Sequence, residues 1–473
     1  MQQSNDKVVL FEQTPIPKAV AQLAVPTVLS SLVMVLYNLA DTFWVGMLND
    51  PIQNAAVTLA APVLLAFNAV NNLFGVGSSS MMSRALGRKD FDTVSRSSAF
   101  GFYCSVICGA IFSLLCTVFQ QPLLVLLGAD ASTLEATRSY MFWTVSCGAV
   151  PAILNVVMAY LVRSEGAAMH ASIGTMSGCL LNIVLDPIFI LPWGLNMGAG
   201  GAGFATFLSN CVACLYFFVL LLIKRGKTYV CINPKQFSFR RDIVSGVCAV
   251  GVPASIQNLL NVTGMTILNN FSSAYGADAV AAIGICQKIY MVPMYVSQGI
   301  SQGVMPLVSY NYSSGNVARM KHAVSFARQA ALTVIISVAV LFFLFPGFWV
   351  SLFMKNEVII EYGTHLMRGF CLGLPFLSID FLAVGVFQAV GMGRESLLFA
   401  ILRKIVLEIP ALFILNSTVG LYGLAYAQFC AEVILATAAM DSINFLAIPC
   451  LRKAGSTAMR WISPSSARGR STQ

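Results

Sequence analysis

Charge is the first thing this chain lacks. Only 10% of its 473 residues are charged, against roughly 25% in a soluble domain, while 57% are hydrophobic. Mean hydropathy is +0.78. A water-soluble globular fold is excluded, and no stretch is polar enough to form a large soluble domain beside the apolar ones. A phosphate-binding GxxxxGK[ST] is absent, so nothing suggests that the chain itself hydrolyses ATP. His170, His322 and His365 are its only histidines, far apart and without HExxH, which argues against a zinc protease. Strict polar–apolar alternation is missing too, so a transmembrane barrel is not expected. The polar start, MQQSNDKVVLFEQTPIPK, has no apolar core followed by a small-residue cleavage site, so the first apolar run is expected to be retained.

Long apolar runs are plentiful. With windows of roughly 20 residues they fall at 19–47, 55–79, 97–120, 138–161, 171–192, 202–223, 243–272, 279–306, 324–348, 366–390, 397–418 and 420–448. Backbone groups in lipid must bond internally, so each run is expected to be a helix. The predicted fold is an all-α integral membrane protein with twelve spans, numbered 1 to 12 below. Lys and Arg cluster in alternate loops: Lys7 and Lys18; Arg84, Arg88, Lys89 and Arg96; Arg163; Lys224 to Arg241; Arg319, Lys321 and Arg328; Arg394, Arg403 and Lys404; and the tail. By the positive-inside rule both termini are expected in the cytoplasm. The net charge of +9 is a topology signal on this reading; no aromatic–basic platform supports nucleic-acid binding. The 13 cysteines sit in apolar surroundings, and Cys211 with Cys214, a lone CxxC, reads as helix packing.

The halves repeat. LAVPTVLSSL answers VGVPASIQNL and pairs Pro26 with Pro253. SRALGRKD answers SYNYSSGN, EGAAMHAS answers VGMGRES (Gly166 with Gly391), NIVLDPIFIL answers KIVLEIPALFIL (Asp186 with Glu408), and MGAGGAGFAT answers VGLYGLAYAQ. Matches in order at a nearly constant offset imply duplication. Six spans per half, an even number, make the repeats parallel, related by a pseudo-twofold along the membrane normal. The expected organisation is a cytoplasmic segment 1–18, an N-lobe 19–223, a linker 224–242, a C-lobe 243–448 and a disordered tail 449–473.

Ionisable residues inside spans are functional candidates by default. They are Asp41, Asp186, Lys288, Asp380, Glu408 and Glu432. Asp186 is expected near the midplane, with Asn182 one turn earlier on the same face. Pro187 leaves a carbonyl one turn back without its amide partner. Oxygen ligands of this kind suit a hard cation such as Na⁺, and a desolvated carboxylate can equally carry a proton. Asp41 has Tyr37 and Asn38 close by on its helix. Tyr37, Asn38, Asp380, Lys288 and Glu408 are further candidates for cation or substrate contact, with Lys288 a structural counter-ion for Asp380.

PTVLSSLVMVLYNLADTFWVG in span 1, NIVLDPIFI in span 5, GAGGAGFATFLS opening span 6 and MPLVSYNYSSGN after span 8 together resemble the multidrug and toxic compound extrusion (MATE) family, in its bacterial multidrug-exporter form. The likeness runs from about Pro17 to Pro449. It implies an antiporter that exchanges Na⁺ or H⁺ for organic, cationic and amphipathic compounds. The family's N-lobe cation site would fall on Asp41, Asn182, Asp186 and Thr206, which would be the metal ligands if sodium is the coupling ion. Asp380 matches the family's second, C-lobe acid, but span 7 has no acid to complete that site. No cofactor is expected beyond the transported ion, and no partner beyond organic substrates and membrane lipid; a monomer in the bacterial inner membrane suffices. The alternatives are a lipid-linked precursor flippase or a metabolite exporter on the same twelve-span plan, with a membrane enzyme or receptor behind them. Flippases carry a more cationic cavity, whereas the acids here outnumber Lys288. GxGxxG at Gly198, Gly200 and Gly203 follows no strand, and reads as a tight turn into span 6.

Overall fold

The structure, a computed structural model, describes residues 2–445, and side-chain surroundings for residues 7–438. The tail at 449–473 and the last residues of the final predicted span lie outside the described residues. The described chain is helical almost throughout. Ten helices are long and apolar enough to cross a membrane. They are Ile16–Gly46 (span 1), Pro51–Gly87 (2), Phe91–Val118 (3), Ala168–Ile190 (5), Gly198–Ile223 (6), Arg241–Ser273 (7), Ala277–Ser313 (8), Val317–Leu344 (9), Glu357–Val390 (10) and Gly420–Ala438 (12). Span 4 is a bent pair, Leu134–Cys147 and Ala149–Ser164, meeting at 50°. Span 11 runs through Gly393–Ile401, Leu402–Glu408 and Ile409–Thr418. Its length would let it cross, but it carries three charged residues in mid-span, Arg403, Lys404 and Glu408.

Two expectations are corrected here. Arg403 and Lys404 were grouped with the loop charges, yet both are buried inside span 11. They lie on a π-helical segment, Leu402–Glu408, and wide turns of this kind recur at functional places in helices. Asp186 was placed near mid-span. It lies one turn from the end of span 5 at Ile190, so its level is close to one rim of the bundle.

Positions paired by the repeat share local geometry. Gly166 and Gly391, after spans 4 and 10, both have φ of 88°. Lys89 and Gly315 both have positive φ, as do Gly198 and Gly420. The next residues, Asp90 and Asn316, cap spans 3 and 9: Asp90 accepts from the Thr93 amide at 3.1 Å and Asn316 from the Arg319 amide at 3.2 Å. A side-chain oxygen at that position satisfies an amide left free at a helix start. Asp, Asn and Gly differ as letters but do the same backbone work, which is why the repeat is fainter in sequence than in structure.

The two halves touch most closely at the end bearing the basic loops, here the basic end. A Cβ on Gly303 of span 8 would lie 2.6 Å from Ala24 Cα of span 1, and one on Gly299 2.9 Å from Val28 Cα. Gly77 and Leu73 of span 2 meet Val247 and Gly251 of span 7 in the same way. Glycine permits this approach of backbones, the usual device for tight helix pairs in lipid. Hydroxyls add cross-links: Ser255 donates to the Ala69 carbonyl (2.6 Å) and Ser80 to that of Gln388 (2.5 Å).

The N-terminal helix Gln2–Glu12 lies across this end. Lys7 pairs with Glu165 at the end of span 4 at 2.6 Å. Phe11 is wholly buried and stacks on Tyr310 of span 8 at 4.8 Å. Arg319 of span 9 donates to the carbonyls of Phe11 (2.6 Å) and Thr14. Glu165 also accepts from the Tyr229 amide (2.6 Å) in the segment joining the halves.

Candidate functional site

Spans 1, 5 and 6 bring the four expected cation ligands into one cluster. Asp186 is fully buried and Asn182 is 2% exposed. Asn182 donates from Nδ2 to Thr206 Oγ1 at 3.3 Å. Asp41 lies within electrostatic reach of Asp186, and Tyr37 faces Thr206 and both acids. Small residues make this possible: Gly174 and Gly178 let span 5 press against Phe217, Ser209 and Ala213 of span 6. Tyr140 of span 4, which carries no warning in its sequence surroundings, lies against the same two acids.

The Asp186 carboxylate is in an unusual situation, one that Asp380 of the C-terminal half shares. Neither of the Asp186 oxygens, nor the side-chain oxygen of Asn182, has a hydrogen-bond donor among the described residues. Asn182 lies beside Asp186, but its amide is turned to Thr206. Buried polar groups almost always find partners, and an ionised carboxylate held without one is strongly disfavoured. Asp41, Asp186, Asn182 and Thr206 therefore present oxygens that a proton or a small hard cation would satisfy. No three His, Cys, Asp or Glu gather here or anywhere else among the described residues as a transition-metal cluster would. The set suits an alkali cation better than a transition metal.

A cavity of about 600 Å³ adjoins the cluster. Tyr37, Asn38, Asn182 and Thr206 form part of its wall. Asp41 and Asp186 are not part of that lining. The rest is rich in amides from both halves, including Asn68, Asn155 and Asn258, with Tyr295, Met34 and Met291 among them. This size suits a drug-sized molecule.

The C-terminal half is built differently. At the place matching Asn182 and Asp186, Lys404 and Glu408 form a buried ion pair with Nζ–Oε2 of 2.6 Å. Glu408 is thus neutralised on its own helix. Arg403 pairs with Glu432 of span 12 at 3.2 Å, and Asp380 of span 10 lies against Glu432 and Arg403. Lys288 was the expected counter-ion of Asp380. It is exposed on span 8, and the cation beside Asp380 is Arg403. A counter-ion from another span cannot be read from spacing along one helix. The lone CxxC is structural: Cys211 and Cys214 are both free thiols, and Cys214 donates to the Pro151 carbonyl at 3.3 Å.

An all-helical, multi-pass body with an amide-lined cavity between its halves and a donorless carboxylate beside it is the build of a membrane transporter. The MatE family model matches residues 26–188 and again 253–414. The two matches begin at Pro26 and Pro253, the prolines that the repeat pairs. The chain belongs to the MatE family. It is 31% identical over 443 residues to the multidrug export protein MepA of Staphylococcus aureus (strain MRSA252), across 93% of this chain and 96% of that protein. Among solved structures, an outward-facing multidrug resistance MATE family transporter of the MOP superfamily matches with a TM-score of 0.88 at 28% identity, covering 94% of this chain and 98% of that one. A MOP superfamily transporter from Pyrococcus furiosus, whose reversed pocket polarity suggests a different function for it, matches with a TM-score of 0.86 at 28% identity, over 94% and 98% of the two chains.

Proposed function

We propose that this protein is a secondary multidrug efflux antiporter. It exchanges extracellular Na⁺ or H⁺ for cytoplasmic organic compounds, cationic and amphipathic in the main. It works as a monomer in the bacterial cytoplasmic membrane, with both termini and the basic end in the cytoplasm. It uses no cofactor beyond the transported ion and engages organic substrates and membrane lipid alone. The N-lobe and C-lobe rock as two units about a pseudo-twofold axis.

The observation that carries this reading is the buried, donorless Asp186 within reach of Asp41, on the same helix as the cavity-lining Asn182. Tyr37, Asn182 and Thr206 belong both to the cluster around these acids and to the cavity lining. An ion arriving at the acids would reorient these side chains and change the wall that holds cargo. The close contacts at the basic end support an outward-facing form, in which the acids near the opposite rim meet the external ion. Differential affinity for the ion in the two facings supplies the coupling. Neutralising Asp186 as Asp186→Asn should abolish drug resistance in an efflux-deficient host at unchanged protein level; full resistance would sink the assignment. Efflux from proteoliposomes under separate Na⁺ and pH gradients decides between the ions. The flippase alternative is disfavoured because a pyrophosphate headgroup calls for several cations, and the cavity wall offers one.

A further inference from the structure

That one cation is Arg163, in the last turn of span 4 at the basic end of the cavity. It was read from sequence as a loop charge. It is only 7% exposed, and it is the sole formally charged side chain in the cavity lining among the described residues.

Its surroundings do not neutralise it. Nη1 donates to Gln302 Oε1 at a long 3.3 Å. The guanidinium carbon stands 5.6 Å from the Tyr160 ring centroid. Nε has no acceptor, and no carboxylate forms an ion pair with Arg163 among the described residues. The nearest acid in sequence, Glu165, is taken by Lys7, Thr228 and Tyr229. Serines gather here as well, but their hydroxyl protons are spent. Ser83 donates to the Ser164 carbonyl (2.8 Å), Ser80 to that of Gln388 (2.5 Å), and Ser309 to that of Ala389. Arg163 is left as the charged donor in a cavity wall that also holds the Gln298 amide. Arg403 and Lys404, the other buried cations of the spans, each have a carboxylate. Arg163 differs from both in having none and in facing the cavity.

We propose that Arg163 is the binding site for an anionic group of the cargo, a carboxylate or sulfonate on an otherwise amphipathic, cation-bearing molecule. This rests on the exporter reading above and narrows it to cargo that includes zwitterions. Nε is buried behind the guanidinium, and the group meets the cavity through its Nη edge, from which it can give a carboxylate charge-assisted N–H···O bonds. Burial makes an unpaired charge costly, so a carboxylate that supplies the missing counter-charge is selected over the same molecule without it.

A matched dye pair tests this: a rhodamine with a free benzoate carboxyl and the same dye as its methyl ester. Affinities for the purified full-length protein are read by fluorescence anisotropy. The wild type should bind the acid roughly tenfold more tightly than the ester, the scale of one charge-assisted hydrogen-bonded contact. In Arg163→Gln the acid-to-ester ratio should fall to about one, and Arg163→Lys should retain part of the preference, both at unchanged thermal stability. Equal binding of the two dyes by the wild type overturns the proposal and leaves the exporter reading standing. So does an equal fractional loss for both dyes in Arg163→Gln, which would mark a packing role. Binding of neither dye overturns the exporter reading and this inference with it. The wild-type comparison decides even where the glutamine variant fails to fold.

Discussion

Lys404 and Glu408, one turn apart on span 11, close a buried ion pair of 2.6 Å at the place where the other half of the molecule has Asn182 and Asp186. One duplicated unit has thus gone two ways. In the second half a lysine silences the acid. In the first half an amide stands in its place, turned to Thr206, and the acid is left open.

Breaking the silent pair should be a stability lesion. Glu408→Gln strands a buried ammonium, and the expected loss is about 3–5 kcal/mol. Lys404→Met with Glu408→Leu removes both charges and should recover most of it. Thermal unfolding of the two variants in detergent checks this. A single variant as stable as the double would mean that the pair contributes nothing.

The open acid should behave in the opposite sense. Asp186→Asn replaces a donorless carboxylate by a neutral group, so in sodium-free alkaline buffer the variant should be more stable than the wild type, by about 1–3 kcal/mol. Function and stability would then conflict at one residue, as is usual at sites held for activity. A destabilised Asp186→Asn would show that the carboxylate has a partner of its own.

Most of the fold could be read from the chain because hydropathy and loop charge report directly on helices in lipid. Every expected span falls on a helix, although spans 2, 3, 8, 9 and 10 extend well past one of their expected ends. The N-terminal site was readable for a related reason: Asn182 and Asp186 are one turn apart on one helix, and local spacing is visible in sequence. What could not be read depends on partners from elsewhere. Arg403 and Lys404 look like loop charges until Glu432 and Glu408 are seen beside them. Lys288 seemed a partner for Asp380 because both lay within predicted spans, but spacing says nothing of which way a residue on one helix faces on another. Arg163 is the sharpest case. "LVRSEG" reads as a helix running out into water, and only the packing of spans 2 and 8 over it shows that it ends inside the cavity.

Asp130 provides a pH-dependent term. It lies in the turn before span 4, and its Oδ1 accepts from the amides of Ser132 (3.0 Å) and Thr133 (2.8 Å) and from both hydroxyls. These bonds favour the ionised form and hold its carboxyl at about 2. A folded-state value below the unfolded one, roughly 3.9, means the stabilisation is present above about pH 4 and is lost as pH falls toward 2. Asp130→Ala should therefore unfold at lower temperature than the wild type at neutral pH, with the gap narrowing once the pH drops below about 4. A gap independent of pH would assign the effect to the turn backbone and not to the charge.

The N-terminal helix should set how readily the basic end opens. Lys7 and Phe11 touch span 4 and span 8, one from each half, and Arg319 of span 9 bonds to the carbonyls around them. Parting the halves at this end must break these contacts, so they weigh on the closed side of the equilibrium. Truncating a buried aromatic ring costs roughly 3 kcal/mol or more, and a 1.4 kcal/mol bias shifts a two-state ratio tenfold. Phe11→Ala is thus expected to raise the open population by about a hundredfold. Ser83 of span 2 is 2% exposed and bonds to the Ser164 carbonyl at the end of span 4, so Ser83→Cys in a cysteine-depleted background provides the readout. Its labelling by a polar maleimide in detergent should accelerate strongly in Phe11→Ala. Unchanged labelling, with thermal stability retained, would show that the halves stay closed through their own glycine contacts and that the helix only rests on them.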